Sequence, residues 1–119
     1  MPYVDGFLVP VPKDKLEAYK ELARLGGSVW MEHGALSYVE CLPDDVGAGK
    51  LTSFPRAVQL KEDEIVVFSW ITYASRAERD RIMKLVMADP RLQQMMDPKN
   101  HVFDAKRMIF GGFESFLEL

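Results

Sequence analysis

Residues Glu64–Tyr73, EIVVFSWITY, decide the fold of this chain. The stretch is rich in β-branched and aromatic residues and contains no Gly or Pro, which is typical of a β-strand. A helix of this length would need a polar stripe, and the stretch has none. Successive side chains of a strand point to opposite faces, so this strand is apolar on both. A strand of that kind is covered on both faces, and the rest of the chain must supply the covers.

The patterns on either side of this strand predict the remaining elements. We predict further strands at residues 3–11, 35–42 and 106–117, a short strand at 56–60, a helix at 13–33, and helices following Ser75 and Asp89. Ser75 with Glu78 forms a capping box, S-x-x-E, and Asp89–Pro90 fits an N-cap followed by Pro at the first helical position. Gly26–Gly27 interrupts the first helix at a cost of about 1 kcal/mol per Gly, so either the helix kinks or something packs against its backbone.

The element order β-α-β-β-α-β predicts an α+β fold of the ferredoxin-like type. The antiparallel sheet then carries both helices on one face, because crossover connections are right-handed. With 119 residues, the whole chain (1–119) is expected to form a single domain.

This topology leaves one sheet face without a cover from the same chain. We assign the smaller side chains to the helix side: Val4, Gly6, Leu8, Val39, Cys41, Val67, Ile71, Ile109 and Gly111. The opposite face then carries Phe7, Tyr38, Phe68, Trp70 and Phe110. That is too much apolar area to leave in contact with water, so we predict a homodimer whose two sheets pack face to face.

The same assignment places three carboxylates, Asp5, Glu40 and Glu114, beside these aromatic rings. Carboxylates in a partly closed apolar space have raised pKa values, which suit proton transfer or cation binding. The candidate ligand-binding residues are therefore Asp5, Tyr38, Glu40, Trp70 and Glu114. The alternative, which we favour, is structural: the carboxylates lie exposed at strand ends or form ion pairs, and Trp70 belongs to the dimer core.

Composition and charge argue against several other classes of protein. A net charge of −3 and a pI near 5.4 argue against nucleic-acid binding, since such proteins are usually basic. The single cysteine, Cys41, allows no internal disulfide and no cysteine cluster for zinc. His33 and His101 show no metal-binding spacing, so neither a metal nor a cofactor is predicted. No apolar run approaches the roughly 20 residues of a membrane span, which favours a cytoplasmic protein.

Five segments of the chain together resemble a known family. They are YVDGF at 3–7, VECLPDDV at 39–46, VVFSWITY at 66–73, ADPR at 88–91 and FDAKRMIFGGFE at 103–114. This combination is similar to the YbaA-like family of small uncharacterised bacterial proteins, a domain of unknown function. The resemblance implies a ferredoxin-like fold of the dimeric α+β barrel superfamily. That superfamily includes cofactor-independent monooxygenases, isomerases and heme-handling enzymes, but the family offers no catalytic residues to carry over.

Three functional hypotheses follow, and whether the protein is an enzyme stays open. The first is a small cytoplasmic dimeric α+β barrel protein that binds a partly aromatic or cationic small molecule. The second is a cofactor-independent monooxygenase- or isomerase-like enzyme, in which one carboxylate acts as the base. The third is a non-catalytic protein or RNA interaction module. The second hypothesis requires that Asp5 or Glu40 line a closed cavity without a salt-bridge partner.

Overall fold

Four antiparallel strands form the sheet of the computed structural model, which describes residues 1–119 apart from the side chain of Asn100. The strands are β1 (Tyr3–Pro12), β2 (Ser37–Cys41), β3 (Glu64–Tyr73) and β4 (Ile109–Glu114). Their spatial order is β2-β3-β1-β4, so β3 and β1 are the central strands. The α+β fold of the ferredoxin-like type is confirmed.

The helices are α1 (Leu16–Glu32), α2 (Phe54–Ala57), α3 (Arg76–Met87) and α4 (Pro90–Met95), with single 3-10 turns at Lys13–Lys15 and Pro98–Asn100. Both predicted N-caps are confirmed. The Ser75 hydroxyl accepts a hydrogen bond from the Glu78 backbone N–H at 3.2 Å, and the Asp89 carboxylate accepts one from Arg91 N–H at 2.9 Å. No helix in the described part of the chain combines the length and apolar character needed to cross a bilayer.

Two local predictions were wrong for identifiable reasons. The strand predicted at 56–60 is instead the one-turn helix α2, which begins where the Ser53 hydroxyl accepts a hydrogen bond from Arg56 N–H. The sequence also predicts that Pro10 and Pro12 end the first strand, because proline cannot donate to a ladder, but both residues belong to β1. β4 pairs only with the Tyr3–Leu8 part of β1, so beyond Leu8 one side of β1 is an edge, where proline removes no ladder hydrogen bond.

The face assignment made from side-chain size is wrong for β1, β2 and β4. Gly6 and Val39 both lie opposite Trp70 in the ladder, so their strands share its orientation at these positions. The face away from the helices therefore carries Val4, Leu8, Val39, Cys41, Phe68, Trp70, Ile109, Gly111 and Phe113. We call this the open face. Only Val67 and Ile71 of the set assigned to the helices are on the helix side.

The core lies between the sheet and α1, α3 and α4. Its buried residues are Tyr3, Val29, Ala35, Ile71, Tyr73, Ile82, Val86 and Leu92 in one cluster, and Val9, Val11, Tyr19 and Val67 in another. Tyr38 and Phe7, which we expected on the opposite face, pack against these clusters. Pairing register, and not the size of the side chains, decides which face each strand residue occupies.

Candidate functional site

A cleft of about 370 Å³ opens on the helix side of the sheet, between α1 and β2. Its lining includes Tyr19, Lys20, Ala23, Arg24, Glu40 and Leu42. The two basic residues come from α1, the carboxylate comes from the edge strand β2, and Val67 of β3 adds a central-strand side chain. Its volume falls within the about 300–1,000 Å³ typical of small-molecule sites.

Glu40 is the carboxylate of this cleft, and two tyrosines hold it. The Tyr19 hydroxyl donates to Oε1 at 2.7 Å, and the Tyr38 hydroxyl donates to Oε2 at 3.0 Å. No Lys or Arg nitrogen of the described side chains lies within ion-pair distance of it. Burial raises the pKa of Glu40, and the hydrogen bonds from the two tyrosines act in the opposite direction. Glu40 thus has no salt-bridge partner, but its cleft is open to solvent and is not the closed cavity that the second hypothesis requires.

Both tyrosines are suited to remain hydrogen-bond donors. Burial, followed by the neighbouring Glu40 carboxylate, raises the pKa of Tyr19 and of Tyr38 far above neutrality. The Tyr19 ring also packs edge-to-face against the ring of Phe103, with the two ring centroids 5.8 Å apart. The hydroxyls therefore stay protonated at physiological pH, and each keeps one carboxylate oxygen in place.

The two glycines of α1 explain how Tyr38 reaches this position. The sequence left open whether the helix kinks at Gly26–Gly27 or another group packs against its backbone there. The helix continues through both glycines, and a group does pack closely against them. A Cβ on Gly27 would lie 2.9 Å from Cδ1 of Tyr38, closer than real Cβ atoms approach other heavy atoms. The Tyr38 ring thus packs directly on bare helix backbone, with the Trp30 ring tilted against it at 6.0 Å.

Asp5 lies on the helix side but forms a different, buried arrangement. Its side chain accepts a hydrogen bond from the Tyr73 hydroxyl at 2.9 Å, and Arg79 Nε lies 3.8 Å from its other oxygen. Burial raises the pKa of Asp5, although Tyr73 and Arg79 both act to lower it. Arg79 also donates to the Tyr3 hydroxyl at 3.1 Å, so this network joins α3 to the sheet.

The five candidate residues do not converge on one site. Tyr38 and Glu40 meet in the cleft, and Asp5 is buried beneath α3. Trp70 points to the open face, where its ring lies 5.5 Å from that of Phe68. Glu114 is exposed at the end of β4, opposite Tyr3. The single face proposed from the sequence mixed two orientations, because the carboxylates and Trp70 belong to opposite sides of the sheet.

The sequence prediction missed Tyr19, Lys20 and Arg24 as cleft residues. Lys20 and Arg24 are spaced i and i+4 on α1, next to the Tyr19–Ala23 pair with the same spacing, so the two rows run side by side. Charged residues at this spacing are common on any surface helix, so the sequence does not mark them as a binding site. Only the docking of α1 beside Glu40 shows that Lys20 and Arg24 line a cleft. In the described part of the chain, no three His, Cys, Asp or Glu side chains come together as a metal-binding group.

Comparisons with known proteins identify relatives along the whole chain. Residues 2–105 match the family model described as "Protein of unknown function (DUF1428)". The "Uncharacterized protein YbaA" of Escherichia coli K12 is 48% identical over 118 residues, covering 99% of each chain, and that of Shigella flexneri matches equally.

Solved structures add similarity in fold alone. Rv0793 from Mycobacterium tuberculosis superposes with a TM-score of 0.61 at 13% identity, covering 99% of this chain and 98% of that one. The de novo designed protein Foldit4 gives a TM-score of 0.51 at 8% identity, with 97% and 99% covered. At such identities the likeness concerns architecture and carries no information about ligands.

Proposed function

We propose, for a chain that belongs to the DUF1428 family, that the cleft around Glu40 binds a small molecule that donates a hydrogen bond to this carboxylate. The observation that carries the proposal is the state of Glu40. It is partly buried, each of its oxygens is held by a tyrosine hydroxyl, and no cation in the described chain neutralises it.

The arrangement leaves room for a ligand at the carboxylate. An ionised carboxylate has about four acceptor positions, and the two tyrosines use two of them. Removing a carboxylate from water without a compensating charge is costly, and a donor supplied by a ligand recovers part of that cost. Because Glu40 lines the cleft, its remaining acceptor positions can be reached by a bound molecule.

A catalytic role for the same carboxylate is the second candidate function. Burial raises the pKa of Glu40 above its usual value, which is the direction that favours a general base, and its tyrosine partners fix its orientation. A ligand with an acidic C–H bond would then lose that proton to Glu40, as a cofactor-independent isomerase or monooxygenase requires.

Binding is expected to show in Trp30 fluorescence. The chain has two tryptophans, so Trp70→Phe leaves only Trp30, whose ring lies 6.0 Å from that of Tyr38 at the cleft. We expect 4-ethylphenol to change this fluorescence saturably and ethylbenzene, which lacks the donor, to bind more weakly. Glu40→Gln should weaken 4-ethylphenol about tenfold, because a hydrogen bond to a charged acceptor is stronger by about 1.4 kcal/mol than one to an amide.

Glu114→Gln is the matched control, since it removes an exposed carboxylate at a strand end away from the cleft. Equal weakening by both substitutions, or no saturable signal, would contradict the binding proposal. The same samples in D₂O, followed by NMR with a ligand containing an acidic C–H bond, distinguish the two candidates. Exchange of that proton that depends on Glu40 supports the base role, and its absence leaves binding alone.

We also propose that the open face is covered by a second copy of the chain. Phe113 and Phe68 on this face are 68% and 44% exposed. From Val66 to Thr72 on β3, and at the corresponding positions of the other strands, the face carries no charged side chain. An uncharged apolar surface can meet its own copy across a two-fold axis without like-charge repulsion, which makes a homodimer the fitting occupant.

Trp70→Arg is expected to break this dimer by placing an unpaired charge in its interface. Analytical ultracentrifugation should show dimer for the wild type and monomer or aggregate for the variant. Met31→Arg is the control, because Met31 is a half-exposed apolar residue of α1 on the other side of the molecule. A monomeric wild type, or dissociation by both substitutions, would overturn the proposal.

A further inference from the structure

We propose that the ligand of the Glu40 cleft is a small hydroxylated organic acid. Its carboxylate is bound by Arg24 and Lys20 at the mouth of the cleft, and its hydroxyl donates to Glu40. This inference rests on the proposed function, and it adds the chemical class of the ligand. It is carried by two cationic side chains and one carboxylate that line the same cleft without pairing with one another.

Arg24 is the stronger of the two anion-binding groups. No carboxylate of the described side chains lies within ion-pair distance of its guanidinium, whereas five of the other arginines have such partners. An arginine that lines a cleft without a partner can present two parallel N–H donors to a carboxylate. Its fork geometry therefore fits the carboxylate of a ligand.

Lys20 can contribute a second positive charge beside Arg24. It lies one helical turn earlier on α1, so the two side chains project from the same face of the helix. Its present partner is Glu17, at 3.3 Å, and the Glu17 side chain is 86% exposed. An exposed pair of this kind contributes little free energy, so Lys20 can turn to a bound anion at small cost.

The rest of the lining suits an apolar body between two polar ends. Ala23, Leu42 and Val67 provide aliphatic surface in the same cleft. A ligand with a ring or short chain can cover this surface while its ends reach the charged groups. The small Ala23 side chain lies between Lys20 and Arg24 in sequence and leaves space for such a ligand at that wall of the cleft.

The mixture of charges excludes simpler ligands. A plain cation would satisfy Glu40 but would meet repulsion from Arg24 and Lys20. A plain anion would satisfy the two basic residues but would offer no hydrogen to the acceptor positions of Glu40 that Tyr19 and Tyr38 leave free. A hydroxy acid satisfies both ends, and its hydroxyl is neutral, so no second charge has to be removed from water at the partly buried carboxyl.

Four related probes test this inference in the Trp70→Phe protein. They are 4-hydroxyphenylacetate, with both groups; 4-ethylphenol, without the carboxylate; phenylacetate, without the hydroxyl; and tyramine, with an ammonium in place of the carboxylate. We expect 4-hydroxyphenylacetate to bind most tightly. Arg24→Gln should raise its Kd about tenfold and leave that of 4-ethylphenol unchanged, whereas Glu40→Gln should raise both.

Arg76→Gln on α3 is the control for loss of a positive charge away from the cleft, since Arg76 is 71% exposed. Tyramine binding more tightly than the acid, or Arg24→Gln weakening the acid and the phenol equally, would overturn the hydroxy-acid inference. Either result is compatible with the proposed function as long as binding still depends on Glu40. Loss of that dependence, or no binding by any probe, would overturn both.

Discussion

Replacing Arg107 by Gln is expected to lower the free energy of unfolding by about 3–5 kcal/mol, because it leaves a buried carboxylate without its charge partner. The guanidinium forms a bidentate ion pair with Glu64, in which Nη1 donates to Oε1 at 2.8 Å and Nη2 donates to Oε2 at 2.6 Å. The Glu64 side chain is 4% exposed and that of Arg107 15%. Urea denaturation followed by circular dichroism measures the loss.

The effect is large because Arg107 also joins three separate parts of the chain. Its Nη1 donates to the carbonyl oxygens of Val58 and Gln59, and its Nε donates to Asp104 at 2.8 Å. Arg107 thereby links the segment that precedes β4 to the start of β3 and to the residues that follow α2. Arg76→Gln, which removes only an exposed pair with Asp80, should change stability by less than about 1 kcal/mol.

The pH dependence identifies the ion pair as the cause. Hydrogen bonding to Arg107 lowers the pKa of Glu64 below its usual 4.5. A carboxyl with a lowered pKa in the folded state stabilises the fold above its unfolded pKa, and this contribution disappears as the pH falls through the folded value. The difference between wild type and Arg107→Gln should therefore be full at pH 7 and shrink below about pH 4.5. A difference that is the same at pH 7 and pH 3 would contradict this explanation.

Gly27→Ala is expected to destabilise the protein by about 2 kcal/mol, although Ala is the better helix former by about 1 kcal/mol. The added Cβ would lie 2.9 Å from the Tyr38 ring, so either the ring or α1 must move. A displaced Tyr38 can no longer keep its hydroxyl 3.0 Å from Glu40, so binding in the cleft should weaken as well. Thermal unfolding and the Trp30 titration measure the two effects.

Gly26→Ala is the matched control on the neighbouring residue. Its added Cβ would meet Cε of Met95 at 3.0 Å, the end of a flexible side chain that can turn away, and would lie 3.4 Å from the Tyr38 hydroxyl, an ordinary contact distance. We expect a smaller loss or a slight gain in stability. In a Tyr38→Ala background, Gly27→Ala should become stabilising, because the ring that it displaces is gone. Destabilisation of equal size in both backgrounds would show that the contact with Tyr38 is not the cause.

Much of the fold could be read from local patterns. The bounds of β3 agree with the apolar stretch Glu64–Tyr73, and α3 and α4 begin at the capping residues Ser75 and Asp89. These signals involve residues close together in the chain, so neighbouring side chains and backbone dictate them. The prediction of a strand at 56–60 failed because Ser53 and Pro55 start a helical turn that the apolar residues nearby had obscured.

Local sequence patterns predicted only part of the candidate site. The sequence suggested Glu40 and Tyr38 as neighbours on one strand face, because residues two apart in a strand share a side. It could not show that Trp70 lies on the opposite side of the sheet, since that depends on the pairing of Val39 with Trp70. Nor could it show that Tyr19 and Arg24 reach Glu40, because they join it only through the docking of α1.

The sequence alone therefore determined the four sheet strands, the main helices, their order and hence the ferredoxin-like topology, since these follow from local periodicity and short connections. Only the tertiary structure decided which face of each strand is covered, because a shift of one residue in register moves every side chain to the other side. It also decided that an uncompensated Glu40 shares a cleft with two basic residues. That arrangement depends on Gly27, whose missing side chain lets Tyr38 pack against α1.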